Sequence, residues 1–218
     1  MKIITIFLIT IIIYLPIIMG QNNKVVFKND YYLNIGFGNI SVLQPIVSSS
    51  VGKEINLSVN QKVKVSKRFE FKNGLGFNYR NVLNYLSNIH DLNYDTSLTL
   101  KSSFQHYLIK ASSFVQYKTS LLDIGLGLIP SLLLFGTFNQ TSDGPDSKYN
   151  GLYNIKQQNN ISYFNKVNVE LGINVDFRIS KQVLLSFTSY YELLSNPINS
   201  QFNKYNIFTN TLSINIKL

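Results

Sequence analysis

Val167-Asn-Val-Glu-Leu-Gly-Ile-Asn-Val-Asp-Phe-Arg-Ile179 decides how this chain is read. Val167, Val169, Leu171, Ile173, Val175, Phe177 and Ile179 alternate without a slip against Asn168, Glu170, Gly172, Asn174, Asp176 and Arg178. A period of two held this long gives a β-strand with one apolar face and one polar face. The same rhythm recurs at Glu54–Val65 and Phe69–Arg80, and more weakly at Tyr32–Val42, Gln105–Tyr117, Leu121–Phe135, Gln182–Leu194 and Tyr205–Leu218. With the Val167 strand extended back to Tyr163, the sequence predicts eight strands.

Strands of ordinary globular proteins run to about five or six residues. Crossing a bilayer at ~45° takes about nine to eleven, which these segments supply. Their connections also sort by parity. Short ones fall at Ser66-Lys67-Arg68, Lys118-Thr119-Ser120 and Ser180-Lys181; long ones fall at Leu43–Lys53, 81–104, 136–162 and Ser195–Lys204. With both ends in the periplasm, every short turn lies on the periplasmic side and every long loop outside, the layout of a bacterial outer-membrane barrel. Asn93–Lys101 also alternates and is read as a β extension above the membrane. A further strand at Leu152–Ile161 would give a ten-strand alternative.

The expected fold is therefore all-β: a transmembrane antiparallel up-and-down β-barrel, of eight strands or alternatively ten. Lys2, the apolar run Ile3–Met19 and the small Gly20 form a secretory signal peptide, expected to be cleaved. The domain reading is 1–20 signal peptide, 21–30 a short periplasmic segment, and 31–218 the barrel.

Composition agrees. Charged residues are 14% of the chain and hydrophobic residues 45%, which excludes disorder. The absence of cysteine excludes disulfide frameworks, zinc ribbons, thiol catalysis and a lipidated N-terminal Cys. The formal charge of +9 falls to +8 once the leader removes Lys2, and it is spread over strands, turns and loops. It forms no basic patch, so no nucleic-acid partner is expected.

Alternation alone leaves open which face looks inward. The polar set carries Glu54, Lys62, Lys64, Glu70, Lys72, Arg80, Lys110, Asp123, Glu170, Asp176 and Arg178, mixed in sign and able to pair within a lumen. Gly36/Gly38, Gly74/Gly76, Gly125/Gly127 and Gly172 fall on the same face. Glycine there points to crowding of side chains inside a narrow barrel; none opens a helix, which excludes a phosphate-binding loop. Aromatics near the strand ends (Tyr31, Tyr32, Phe69, Phe71, Tyr79, Tyr117, Phe135, Tyr163, Phe164, Tyr190, Tyr191, Tyr205) suit two interfacial girdles.

Catalytic signatures are missing. His90 and His106 are the only histidines and are expected at the surface or an interface. Ser142-Asp143-Gly144-Pro145-Asp146 lacks the ligand spacing of a calcium loop and reads as a turn. No catalytic, cofactor-binding or metal residue is assigned, and no enzyme activity is expected.

Tyr107-Leu108-Ile109-Lys110 through Tyr117, followed by Leu122-Asp-Ile-Gly125-Leu-Gly127-Leu-Ile-Pro130-Ser131, resembles the strand–turn–strand of the PorT-like outer-membrane β-barrel family of Bacteroidetes. Ala111 stands where that family usually has proline, and Leu218 where a terminal Phe is common. The resemblance implies an integral outer-membrane protein without catalytic residues, one branch of the family serving type IX secretion and gliding. The expected function is a structural or partner-binding component, an accessory of type IX-like secretion or surface assembly. Its expected partners are outer-membrane lipid and lipopolysaccharide, with protein partners at the long loops 81–104 and 136–162. Alternatives are a small-conductance pore, a barrel enzyme acting on lipid, and a soluble lipocalin-like periplasmic binding protein.

Overall fold

The computed structural model describes residues 29–43, 51–91, 96–143, 155–158, 166–193, 196–198 and 202–218. Residues 1–28, which span the expected leader and nearly all of the expected 21–30 segment, lie outside them, as do 163–165 at the start of the extended Val167 strand.

Ten strands follow in chain order: β1 (Asn29–Leu43), β2 (Val51–Lys64), β3 (Phe69–Asp91), β4 (Thr96–Lys118), β5 (Leu122–Asp143), β6 (Ile155–Gln158), β7 (Val167–Arg178), β8 (Val183–Glu192), β9 (Asn196–Ile198) and β10 (Phe202–Lys217). Eight are staves of a closed antiparallel barrel in the order β1-β2-β3-β4-β5-β7-β8-β10, and β10 pairs back onto β1 from Tyr32↔Lys217 to Leu43↔Asn206. Closure leaves the staves no free edge where they form the ring, as a hydrocarbon surrounding requires.

The ten-strand alternative is corrected. A strand does form within Leu152–Ile161, but β6 pairs only with Thr137–Gln140 of β5 and stands outside the ring. The segment 81–104, expected as a loop, is largely strand, and within 136–162, also expected as a loop, the described residues 136–143 and 155–158 are strand. β3 and β4 stay paired to Asp91↔Thr96, and β4 and β5 to Thr99↔Asp143, so the expected extension at Asn93–Lys101 is present from Thr96 onward.

The three tight turns are closed by hydroxyls. Ser66 Oγ accepts from the amides of Arg68 (3.2 Å) and Phe69 (3.0 Å). Thr119 Oγ1 donates to Leu122 O at 2.6 Å and accepts from its N–H, and Ser180 Oγ accepts from Gln182 and Val183. Side chains that mimic a backbone turn are what short Ser/Thr connections provide.

The profile is inside-out. Ile55, Leu57, Val59, Leu75, Phe77, Leu126, Ile173, Leu212 and Ile214 are exposed, while Glu54, Lys62, Glu70, Lys72, Arg80, Lys110, Asp123, Glu170 and Asp176 are all at most 5% exposed. A water-soluble carrier would show the reverse, which excludes the lipocalin-like alternative for this barrel. Aromatics bound the apolar band. At the turn end Phe69 meets Tyr117 edge-on at 5.4 Å, and at the far end Tyr107 contacts Tyr79 at 5.0 Å and Phe135 at 5.9 Å. Phe69 and Tyr79 are ten residues apart on β3, about 33 Å of strand and about 25 Å of height at the usual tilt, the band expected of an outer-membrane barrel. Two girdle assignments are corrected: Tyr32 and Tyr190 are buried and face the lumen, each in step with the polar residues of its strand.

A bulge adjusts β5. Tyr107 pairs with Phe135 but Leu108 pairs with Leu133, so Leu134 is the additional residue and both Leu134 and Phe135 face outward.

Candidate functional site in the barrel lumen

The alternation that builds the wall delivers one polar side chain per two residues to the lumen, where the charges gather in two tiers. The outer tier centres on Arg80 of β3. Its Nε donates to Glu54 Oε2 at 2.6 Å, its Nη1 to Glu192 Oε1 at 2.8 Å, and its Nη2 to Glu170. Lys110 Nζ donates to Glu170 Oε2 at 2.9 Å and to Glu54 Oε2 at 3.3 Å. Glu54 also accepts from Asn78 Nδ2 at 2.7 Å and from the Tyr190 hydroxyl. The Tyr190 ring lies under Lys110 Nζ, 4.1 Å from its centroid, a cation–π contact in a desolvated site. Two cations and three carboxylates leave this tier one negative charge.

The inner tier, nearer the tight turns, centres on Lys62 of β2. It contacts Glu70 (2.8 Å), Asp123 (3.0 Å) and Asp176 (2.8 Å). Lys72 Nζ reaches Asp176 at 2.8 Å and Asn174 Oδ1 at 3.3 Å, and Arg178 pairs with Asp123. Gln116 bridges Asn174 and Asp176.

Between the tiers lies a thin layer of another kind. Phe114, Ile129 and Tyr190 form an apolar cluster inside the barrel. Opposite, Asn34 donates to Asn215 (2.9 Å) and Ser213 (2.9 Å), and Asn60 donates to Asn215 (3.0 Å). The layer leaves a cavity of about 70 Å³, room for a few waters. Gly172 and Gly127 accommodate Phe114: a Cβ at Gly172 would stand 3.3 Å from both Phe114 Cε1 and Ile129 Cδ1. At Gly127 it would lie 2.1 Å from Ser113 O and 2.7 Å from Phe114 Cδ1, closer than the backbone allows. The glycines expected to relieve lumenal crowding therefore do so.

All eleven charged residues expected on one polar face line the lumen or its mouth. Sequence reading missed Glu192, Tyr190, Gln116, Phe114 and Ile129. Glu192 and Tyr190 were accessible from parity, because they continue the Leu184, Ser186, Thr188 row. Phe114 and Ile129 were not, since their place depends on glycines of distant strands. His106 is corrected. It is 3% exposed on the inner face, stacked on Phe104 at 4.7 Å, and so is neither surface nor interface. The side chain of His90 and residues 144–146 of the acidic turn lie outside the described residues. Among the described residues no group of three His, Cys, Asp or Glu is placed to hold a metal.

Neither a protein-family model nor a curated protein matches this sequence. Solved structures do. The attachment invasion locus protein Ail of Yersinia pestis aligns with a TM-score of 0.50 at 9% identity, over 88% of this chain and 99% of that one. Neisserial surface protein A covers 86% of this chain and 97% of its own at 14% identity and TM-score 0.45. The outer membrane protease OmpT of Escherichia coli covers 89% and 99% at 9% identity and TM-score 0.44. At 9% identity the likeness to Ail is one of fold and assigns no activity. The closed eight-stave ring, the lipid-facing apolar band and the ion-paired lumen identify this chain as a bacterial outer-membrane β-barrel.

Proposed function

We propose that the barrel is a non-catalytic, partner-binding component of the outer membrane, an accessory of surface assembly or of type IX-like secretion. The observation that carries this reading is the outer extension. β3 runs twelve residues past Tyr79 to Asp91, and β4 and β5 accompany it, about 40 Å of paired strand beyond the aromatic belt. Spanning the bilayer needs none of this length. A rigid sheet above the membrane is a platform for protein contacts and for lipopolysaccharide. The resemblance to the PorT-like family at Tyr107–Tyr117 and Leu122–Ser131 supports the secretion branch. The burial of His106 inside the wall supports the non-catalytic reading, because a reacting lipid or peptide at the outer rim does not reach it.

A pore is the second reading, and the paired tiers weigh against it: Arg80, Lys62 and their carboxylates cross the lumen at two heights. Planar-bilayer recordings should show no large stable steps.

The direct test is photo-crosslinking from Tyr85 in native outer membranes, beside a variant in which 86–101 is replaced by a four-residue turn. The reading expects a discrete protein adduct that the shortened variant loses while still inserting. Adducts to lipid alone would contradict it.

A further inference from the structure

The lumen opens at the turn end into a vestibule of about 370 Å³. Six cations line it (Lys62, Lys64, Lys118, Arg178, Lys181 and Lys217) against the carboxylates of Asp30, Glu70 and Asp123, an excess of three positive charges. The outer tier, by contrast, carries one negative charge in excess.

The pairing is uneven with depth. Glu70 and Asp123, both buried, are held by Lys62 on the floor. Arg178 leans on Asp123, Lys118 reaches Glu70 only at 3.4 Å, and Lys217 takes Asp30 at 2.6 Å. Every carboxylate is thus engaged. Lys64, the last residue of β2, and Lys181, in the β7–β8 turn, are exposed and have no carboxylate partner among the described residues. In the ring order these two positions stand nearly opposite each other across the mouth.

Two ammonium groups on opposite sides of a roomy cup, neither with a carboxylate partner among the described residues and with a basic wall between them, form an anion site. Room for about a dozen waters is far more than one inorganic anion displaces. Lipid headgroups at this height lie outside the wall, against Tyr31, Phe69 and Tyr117, all of which are exposed outward. A chain reaching up from the periplasm meets neither obstacle. We infer that the vestibule binds a short acidic peptide segment of a periplasmic partner, whose carboxylates span Lys64 and Lys181 and add to Lys118 and Arg178. Charge-assisted hydrogen bonds from ammonium to carboxylate provide the contact, and an exposed rim makes it salt-dependent. The site sits at the opposite end of the barrel from the outer extension and does not rest on it.

The test uses the full chain folded in zwitterionic detergent and a fluorescein-labelled acidic hexapeptide of Asp and Gly, read by fluorescence anisotropy at low salt. Saturable binding is expected, weakened about tenfold or more by the double variant Lys64→Glu/Lys181→Glu, since rim charges act together on encounter and affinity. Lys166→Glu, at the other end of the barrel, should leave it unchanged. Retained heat-modifiable migration shows that each variant is folded. Absence of binding to the folded wild type, equal binding by the double variant, or equal weakening by Lys166→Glu would overturn the site. Tighter binding of pyrophosphate than of the peptide would overturn the peptide as its ligand.

Discussion

Glu170 and Glu192 face each other in direct register across the β7–β8 ladder. Like charges so placed oppose strand pairing, and both are almost wholly shielded from water. The pair exists because Arg80 crosses the lumen from β3 to donate to each, while its third donor engages Glu54 directly opposite on β2. One guanidinium fork thereby ties β3 to three other strands, β2 beside it and β7 and β8 across the barrel.

Arg80→Met should accordingly be costly. Removing one member of a buried ionic cluster typically costs about 3–5 kcal/mol, since the partners remain buried without compensation. Here Lys110 alone would face three carboxylates. Urea unfolding in micelles should show a lowered midpoint. Arg80→Lys should recover only part of the loss, because a point charge cannot reproduce a three-way fork.

The carboxylates of the outer tier are predicted to be unequal. Glu192→Gln neutralises the excess negative charge, removes the opposition to Glu170 and keeps an oxygen for Arg80. It should change stability by less than about 1 kcal/mol, within the usual range for cross-strand pairs. Glu54→Gln should cost about 2 kcal/mol or more, since Glu54 serves Arg80, Lys110, Asn78 and Tyr190 together. Matched denaturation curves of the two variants decide this, and equal losses would contradict the geometry.

How far the barrel was legible in the sequence depended on what surrounded each strand. Val167–Ile179 reads cleanly, and its observed strand ends one residue earlier, because lipid on one side and a polar lumen on the other impose a strict two-residue period. Above the membrane that contrast fades, and 81–104 reads as a loop although most of it is strand. Leu132-Leu-Leu-Phe135 carries no alternation at all, and its bulge is set by the register of β4. The ion pairs belong to the same class. The sequence showed that the charges share a face, while the partnership of Arg80 with Glu170, ninety residues away, depends on the order in which the ring closes.

Glycines on the lumenal face are predicted to differ in tolerance. Gly127→Ala drives a methyl into the Ser113 carbonyl and should cost about 1–3 kcal/mol or prevent folding, as overpacking does. Gly172→Ala meets only the tips of Phe114 and Ile129 at 3.3 Å and should fold nearly as well as the parent. The heat-modifiable fraction after refolding into vesicles measures both.

The central claim, a barrel with its apolar face in lipid and its ion-paired face inside, is tested most directly by labelling alternate positions of β3. The chain has no cysteine, so single cysteines at Lys72, Leu75, Phe77 and Asn78 can each carry an environment-sensitive fluorophore in lipid vesicles. The account predicts blue-shifted emission, quenched by a lipid-borne quencher, at Leu75 and Phe77, and weak quenching at Lys72 and Asn78. Uniform quenching along the strand, or the reverse alternation, would contradict it.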